Sequence, residues 1–325
     1  MSTETDDTAA APAAGTAAAR PPGGLRHPLP PLLVTMALWG SGFVVSKIVV
    51  EDVPHSVAAT LRFGSGAVVL LLILPLILPG RAGIRKAEIR PLAIAGLLGV
   101  FLYNAVLFFG LTYAPAVDGA IIVPILSPIL TTAAALLLRW EKAQWHRVAG
   151  LAVGAAGAVL FFLGVAGAGG GRDRLLGELA YVVAAVSWAA YTMIGKRILV
   201  HIEPVRATAY SMAFGSLVLA ALAAPDYGDV DWGGLSAGFW WTMAFLVFGP
   251  TALAYALFYR GVREVGPTTA SVLMFLVPVS GTLLSFLLLD ESIGVGQSVG
   301  SLFMLLGAVL AVTGPKLFRR RTAEQ

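Results

Sequence analysis

Ten apolar runs follow one another along the chain, near residues 31–50, 57–79, 91–111, 116–138, 146–164, 176–196, 205–224, 238–259, 267–289 and 295–314. Each is close to the roughly 17 to 25 residues that carry an α-helix across about 30 Å of hydrocarbon. Polar or Pro/Gly-rich breaks separate them. With 58% hydrophobic residues, 12% charged residues and a mean hydropathy of +0.83, the chain lacks the polar surface to cover a soluble globule. The bilayer is therefore its solvent. Backbone with no water to bond must close its hydrogen bonds within the segment, so runs of this length are helices. The expected fold is an all-α integral membrane protein of ten transmembrane helices.

Direction follows from the basic residues, because cytoplasmic loops retain an excess of Lys and Arg. One set of loops and tails holds Arg20, Arg26, Arg81, Arg85, Lys86, Arg90, Arg139, Lys142, Arg147, Lys196, Arg197, Arg206, Arg260, Arg263, Lys316, Arg319, Arg320 and Arg321. The opposite loops hold only Arg172 and Arg174, and collect acids instead, including Glu51, Asp52, Asp226, Asp229, Asp231, Asp290 and Glu291. Both termini are thus expected in the cytoplasm. Residues 1–30, rich in Ala, Pro, Thr and Gly, lack the basic start and apolar core of a signal peptide and read as a disordered cytoplasmic tail. Residues 315–325 read as a second, basic tail.

The chain repeats itself. In "LWGSGFVVSK" and "SWAAYTMIGK", Trp39 and Trp188 precede Lys47 and Lys196 by the same interval. A similar shift aligns Pro54 with Pro204, Pro128 with Pro278, Glu141 with Glu291 and Gly150 with Gly300. Two five-helix units follow, 31–164 and 176–314, joined by a Gly-rich linker at 165–175. An odd number of spans per unit makes the second cross in the opposite sense. The repeat is inverted, as in carriers that expose a central site alternately to either side. Lys47 and Lys196 then mark opposite ends of related helices, as gate charges or as side chains snorkelling to headgroups.

"LWGSGFVVSK", "AATLRFGSGAVVLLL", the stretch from "APAVDGAIIVPILSPIL" to "GLAVGAAGAVL", and the stretch from "SVLMFLVPVSG" to "GSLFMLLGAVL" together resemble the drug/metabolite transporter superfamily, specifically its ten-helix EamA-type members. The resemblance covers nearly all of the membrane part. It implies an inner-membrane carrier of small molecules, often an exporter of amino acids or related metabolites, with a cavity between the two halves. "DESIGVGQ" departs from the family's usual turn, with Asp290 where glycine is usual.

Arg62 stands about six residues into the second span, roughly 9 Å at 1.5 Å per residue. A charge at the bilayer centre costs about 2.5 to 3.5 kcal/mol on insertion scales, and such residues face a cavity or a partner. Arg62 matches the arginine of the family's second-span motif, so cavity electrostatics or gating stands beside snorkelling or a structural pair. Asp118 opens the fourth span on the side of Lys47 and Arg62. The three form a candidate charged cluster that closes one end, unless Asp118 only satisfies helix N-terminal donors. Asn104 reads as the sole amide well inside a span and must find a partner. With Trp39, Tyr103, Trp188, Tyr191 and Tyr255 it makes a candidate cavity that stacks and hydrogen-bonds an amphipathic solute. Aromatic residues in spans also serve as packing or interface anchors.

Pro124, Pro128, Pro250 and Pro278 break helices within the membrane and are candidate hinges or plain kinks. "GLAVG" from Gly150 and "GQSVG" from Gly296 set small residues four apart, for close packing or a homodimer contact.

The sequence thus favours a secondary transporter of small metabolites in the plasma membrane, with the lipid bilayer and a small-molecule substrate as its partners. A membrane enzyme fits poorly: there is no cysteine, His27, His55, His146 and His201 fall in tails or loops, and no nucleophile–base pair, metal-ligand set or nucleotide-binding loop is visible. No cofactor, metal or nucleic acid is implied. A lipid-handling or structural membrane protein is the other alternative. Apart from Asp118 at an edge and Glu178 near the start of the sixth span, no carboxylate is embedded in a span, so facilitated or weakly proton-linked movement is expected rather than a carboxylate relay.

Overall fold

A helix in lipid closes its own hydrogen bonds, which leaves its side chains to pack against other helices and to serve the places where the ladder breaks. A computed structural model of the chain describes residues 29–80, 83–140, 144–167, 171–198, 202–255, 257–258 and 273–313. All regular structure among these residues is helical. The first half comprises α1 (Leu29–Asp52), α2 (His55–Ile77), α3 (Lys86–Gly96), α4 (Tyr103–Tyr113), α5 (Ala116–Leu137) and α6 (Trp145–Gly167). The second comprises α7 (Arg172–Ile198), α8 (Pro204–Ala223), α9 (Ala237–Leu246), α10 (Leu276–Leu289) and α11 (Val295–Thr313).

Among the described residues, seven segments are long and apolar enough to cross a membrane, the third formed by α3 and α4 in one continuous stretch, Lys86–Tyr113. The last three expected spans are represented by shorter apolar helices, Ala237–Leu253, Leu276–Leu289 and Val295–Ala311. Their outward positions are apolar: Leu72, Leu76, Leu163, Trp241 and Phe286 are all exposed. An exposed apolar belt of this kind suits contact with acyl chains rather than water.

Two helices contain π-helical turns, Leu97–Leu102 between α3 and α4 and Val247–Leu253 after α9, which start 150 residues apart. A π turn shifts the ladder and leaves carbonyls without their usual donor. Side chains take them up. Ser187 Oγ donates to the Leu98 carbonyl at 2.7 Å and Asn104 Nδ2 to the Val100 carbonyl at 2.7 Å. In the second turn Thr251 Oγ1 donates to the Leu246 carbonyl at 2.9 Å, the acceptor that Pro250, lacking an N–H, cannot use.

Pro124 and Pro128 lie inside α5 and Pro250 inside its π turn, as the sequence suggests. Pro278 is the third residue of α10, which starts at Leu276 directly after a turn at 274–275 that follows helical Leu273, so the helical run is interrupted one turn before this proline, where its missing N–H leaves the Met274 carbonyl without that donor. His55 and His146 begin α2 and α6 instead of lying in loops, and His146 is buried; His27 and His201 fall outside the described residues.

The two halves interleave, with α1 packing on α10, α2 on α8, α4 and α5 on α7, and α6 on α11. The α6–α11 pair meets backbone to backbone. A Cβ on Gly157 would stand 2.4 Å from the Met304 nitrogen, and one on Gly300 2.4 Å from the Phe161 nitrogen. The small-residue spacings of the two helices are therefore used against each other within one chain.

Candidate functional site

Between the halves lies a cavity of about 520 Å³. Its walls draw on both halves of the chain, and its aromatic and polar lining comes chiefly from α1, α2, α4, α5, α7 and the segment after the second π turn. Trp39 and Phe43 belong to α1, Arg62 and Phe63 to α2, Tyr103 and Asn104 to α4, Ser127 and Thr131 to α5, Trp188 to α7, and Tyr255 follows the second π turn. Tyr103 and Trp188 have ring centroids 5.1 Å apart, and Trp39 and Tyr255 5.5 Å apart in an edge-on arrangement. The cavity reaches Thr131, Thr132, Arg147 and Ala311 at the end where α5 stops and α6 starts. Toward the other end its lining stops at Leu107 and Val123.

Arg62 is the cavity's buried cation, 8% exposed. Its Nη1 donates to Ser46 Oγ at 2.8 Å and to the Gly42 carbonyl at 3.4 Å, its Nε to Thr251 Oγ1 at 3.5 Å, and its Cζ sits 4.8 Å from the Phe63 ring centroid. Every one of these partners is neutral. Among the described residues no carboxylate makes a salt bridge with it, so a desolvated positive charge borders the cavity without a counter-anion.

The opposite end is closed by the short segment Ala114–Asp118, which four parts of the chain grip at once. Lys47 Nζ donates to the Leu111 carbonyl and, at 3.3 Å, to the Ala114 carbonyl. The Tyr181 hydroxyl donates to the Pro115 carbonyl at 3.0 Å. Glu291, in the turn between α10 and α11, accepts from the Ala116 and Val117 nitrogens, each at 2.8 Å, and so caps α5 from the other half of the molecule. Asp118 accepts from Arg174 Nη2 at 2.7 Å and from Gln297 Nε2 at 3.0 Å. Ala114, Ala116, Val117 and Asp118 are all buried.

The EamA-like transporter family matches residues 31–163 and again residues 175–313. The chain belongs to the EamA-like transporter family. The family is one of transporters, not enzymes, and this EamA-like protein is a multi-pass membrane transporter. It is 28% identical over 300 residues to the "Uncharacterized transporter YyaM" of Bacillus subtilis, covering 88% of this chain and 93% of the relative. It is 24% identical over 294 residues to the "Probable terminal-alkyne amino-acid exporter" of Streptantibioticus cattleyicolor, covering 90% and 93%. A chain of known crystal structure shares its fold, with a TM-score of 0.62 at 21% identity over 91% of this chain and 98% of that one.

In this EamA-like transporter, Trp39, Arg62, Tyr103, Asn104, Trp188 and Tyr255 come together around the cavity. Tyr191 does not line it. Its ring packs behind Trp188, centroids 5.4 Å apart, over Gly99, where a Cβ would stand 2.3 Å from the ring. The expected cluster of Lys47, Arg62 and Asp118 separates into two sites, since Arg62 turns to Ser46 and Thr251 while Asp118 pairs with Arg174. Nor does Asp118 serve the N-terminal donors of α5, which Glu291 takes instead. Asn104 is joined by a second amide inside a helix, Gln297, 2% exposed. The Lys196 side chain lies outside those described.

Glu291 and Gln297 are the residues that sequence reasoning missed, although both stand in the "DESIGVGQ" turn. Asp290 ends α10 with φ of 52°, a left-handed conformation that glycine adopts most readily and Asp tolerates. Its place at the family's usual glycine was the available signal.

Proposed function

We propose that the chain is a secondary transporter that moves small carboxylate-bearing metabolites, amino acids or related compounds, across the plasma membrane by alternating access. Arg62 carries this reading. A buried guanidinium without an anionic partner among the described residues, set among Phe63, Tyr103, Trp188 and Trp39, suits a solute with a carboxylate at one end and an apolar or aromatic body at the other. A cavity of about 520 Å³ is of metabolite size.

In this reading the chain crosses the bilayer ten times as two inverted five-helix repeats, and the paired π-helical turns 150 residues apart support it. Both termini face the cytoplasm, since Arg147 lies at the cavity's mouth and Arg139 just past the end of α5, while the sealed end carries Glu51, Asp226 and Glu291. The cavity then opens inward and the grip on Ala114–Asp118 closes the outside. Export is the favoured direction, supported by the name of the Streptantibioticus relative.

The test is release from proteoliposomes loaded with a mixed pool of amino acids, their decarboxylated amines and other small acids, read by mass spectrometry. Carboxylate-bearing solutes are expected to leave selectively, and Arg62→Ala to abolish that selectivity while eluting as a folded species. Equal release of amines and acids, or unchanged selectivity in Arg62→Ala, would overturn the assignment.

A further inference from the structure

Two carboxylates and one guanidinium lie together at the sealed end. Asp118 and Glu178 are each 0% exposed. Arg174 satisfies Asp118 through Nη2, but its Nε stands 3.5 Å from Glu178 Oε1 without a hydrogen bond, and neither Glu178 oxygen has a hydrogen-bond partner. One guanidinium thus brings both carboxyls together, its Nη2 on Asp118 and its Nε facing Glu178. Two ionised carboxylates are acceptors only, so neither can bond the other. One guanidinium also leaves one negative charge unbalanced where there is no water to solvate it.

The surrounding groups do not supply the missing charge. On α7 itself the Tyr181 hydroxyl is committed to the Pro115 carbonyl. Glu291, on the α10–α11 turn, adds negative charge and is committed to the α5 nitrogens. Of the other cations at this end, Arg172 at the start of α7 is exposed, and Lys47, on α1, donates to the Leu111 and Ala114 carbonyls and interacts with Glu291 and Glu51. Gln297, on α11, is neutral and already bonded to Asp118. A single proton on Glu178 resolves both defects, since it turns one acceptor into a donor toward Asp118 and brings the three groups to zero net charge.

We propose that Asp118 and Glu178 form a proton-binding site that holds one proton while this end is sealed and loses it as the end opens. The inference rests on the carrier reading and adds a pH-dependent gate to it: because the proton leaves and returns on the same side, none crosses with the solute and the movement itself stays facilitated. On opening, water reaches the pair, the proton passes from the Glu178 carboxyl to that water, and two hydrated carboxylates repel across the gap. Proton return from the same side restores the hydrogen bond and closes the seal.

The chain contains no cysteine, so a single one introduced at Leu107, buried on the sealed side of the cavity, reports opening without background. Sealed vesicles with the Arg172 end outward are treated with a membrane-impermeant maleimide between acidic and alkaline pH. Labelling of Leu107→Cys rises with pH through the thiolate alone, so it is read as a ratio to the same cysteine in the Glu178→Gln background, where only that thiolate dependence is expected to remain. The ratio is expected to rise with pH, by about tenfold for each unit by which the two states differ in proton affinity. The infrared carbonyl stretch of a protonated carboxyl is expected in the parent protein at neutral pH and to be lost in Glu178→Gln. Asp118→Asn, which removes the like charge, is expected to abolish both signals as well, and serves if Glu178→Gln does not fold. A labelling ratio that ignores pH, or an infrared band unchanged in a folded variant, would overturn the site. Neither readout requires a substrate: failure of the carrier reading appears as absent release beside an intact pH-dependent ratio, and failure of the proton site as release beside a pH-independent ratio.

Discussion

Glu291 serves two backbone donors with its two oxygens, and nothing else in the described structure reaches the Ala116 and Val117 nitrogens. A glutamine there offers one acceptor and turns an NH₂ group against the second N–H. Glu291→Gln is therefore expected to cost about 1–3 kcal/mol, the desolvation penalty of a buried donor left unmet, read as a lower unfolding midpoint in detergent. A midpoint within error of the parent would show that water replaces the lost acceptor. Residues differ in how far they announce themselves. Arg62 and the cavity aromatics are legible because a cation inside an apolar run has few uses other than a partner or a cavity. Glu291 and Gln297 read as ordinary loop polarity, because their partners lie more than 170 positions away in sequence. Tyr191 misleads for the converse reason: it is spaced like a lining residue, and only the absence of a side chain at Gly99 lets it sink behind Trp188.

Helices are read from sequence by apolar length, and that signal places α1, α2, α5, α6, α7, α8 and α11 close to where they are found. It says nothing about ladder type. The π turns at Leu97–Leu102 and Val247–Leu253 depend on side chains that collect freed carbonyls, one of them Ser187 from another helix. The glycine spacings were legible as packing surfaces but not as partners of each other. At the α6–α11 seam, Gly157→Leu is expected to cost about 1–3 kcal/mol or more by forcing the two backbones apart. Gly171→Leu, with nothing within 4 Å of its added Cβ, is the control and is expected to leave the unfolding midpoint in place.

For the whole molecule, the interleaving of the halves means that no helix pair belongs to one repeat alone where the major contacts are made. Basic residues at the mouth and acids at the sealed end predict that a cysteine replacing exposed Arg172 is labelled only from outside the cell by an impermeant reagent. Labelling from the cytoplasmic side would reverse the orientation, with cavity and seal exchanging the compartments they face. The α6–α11 seam also bears on how such a chain diversifies. Substituents larger than hydrogen are excluded at Gly157 and Gly300, whose nearest neighbours all lie on the opposing helix, whereas the walls around Arg62 are built largely of side chains. Mutational freedom is thus smallest where no solute passes and greatest where solutes are sorted, so new cargo specificities arise by redecorating the chamber without disturbing the strut that holds it.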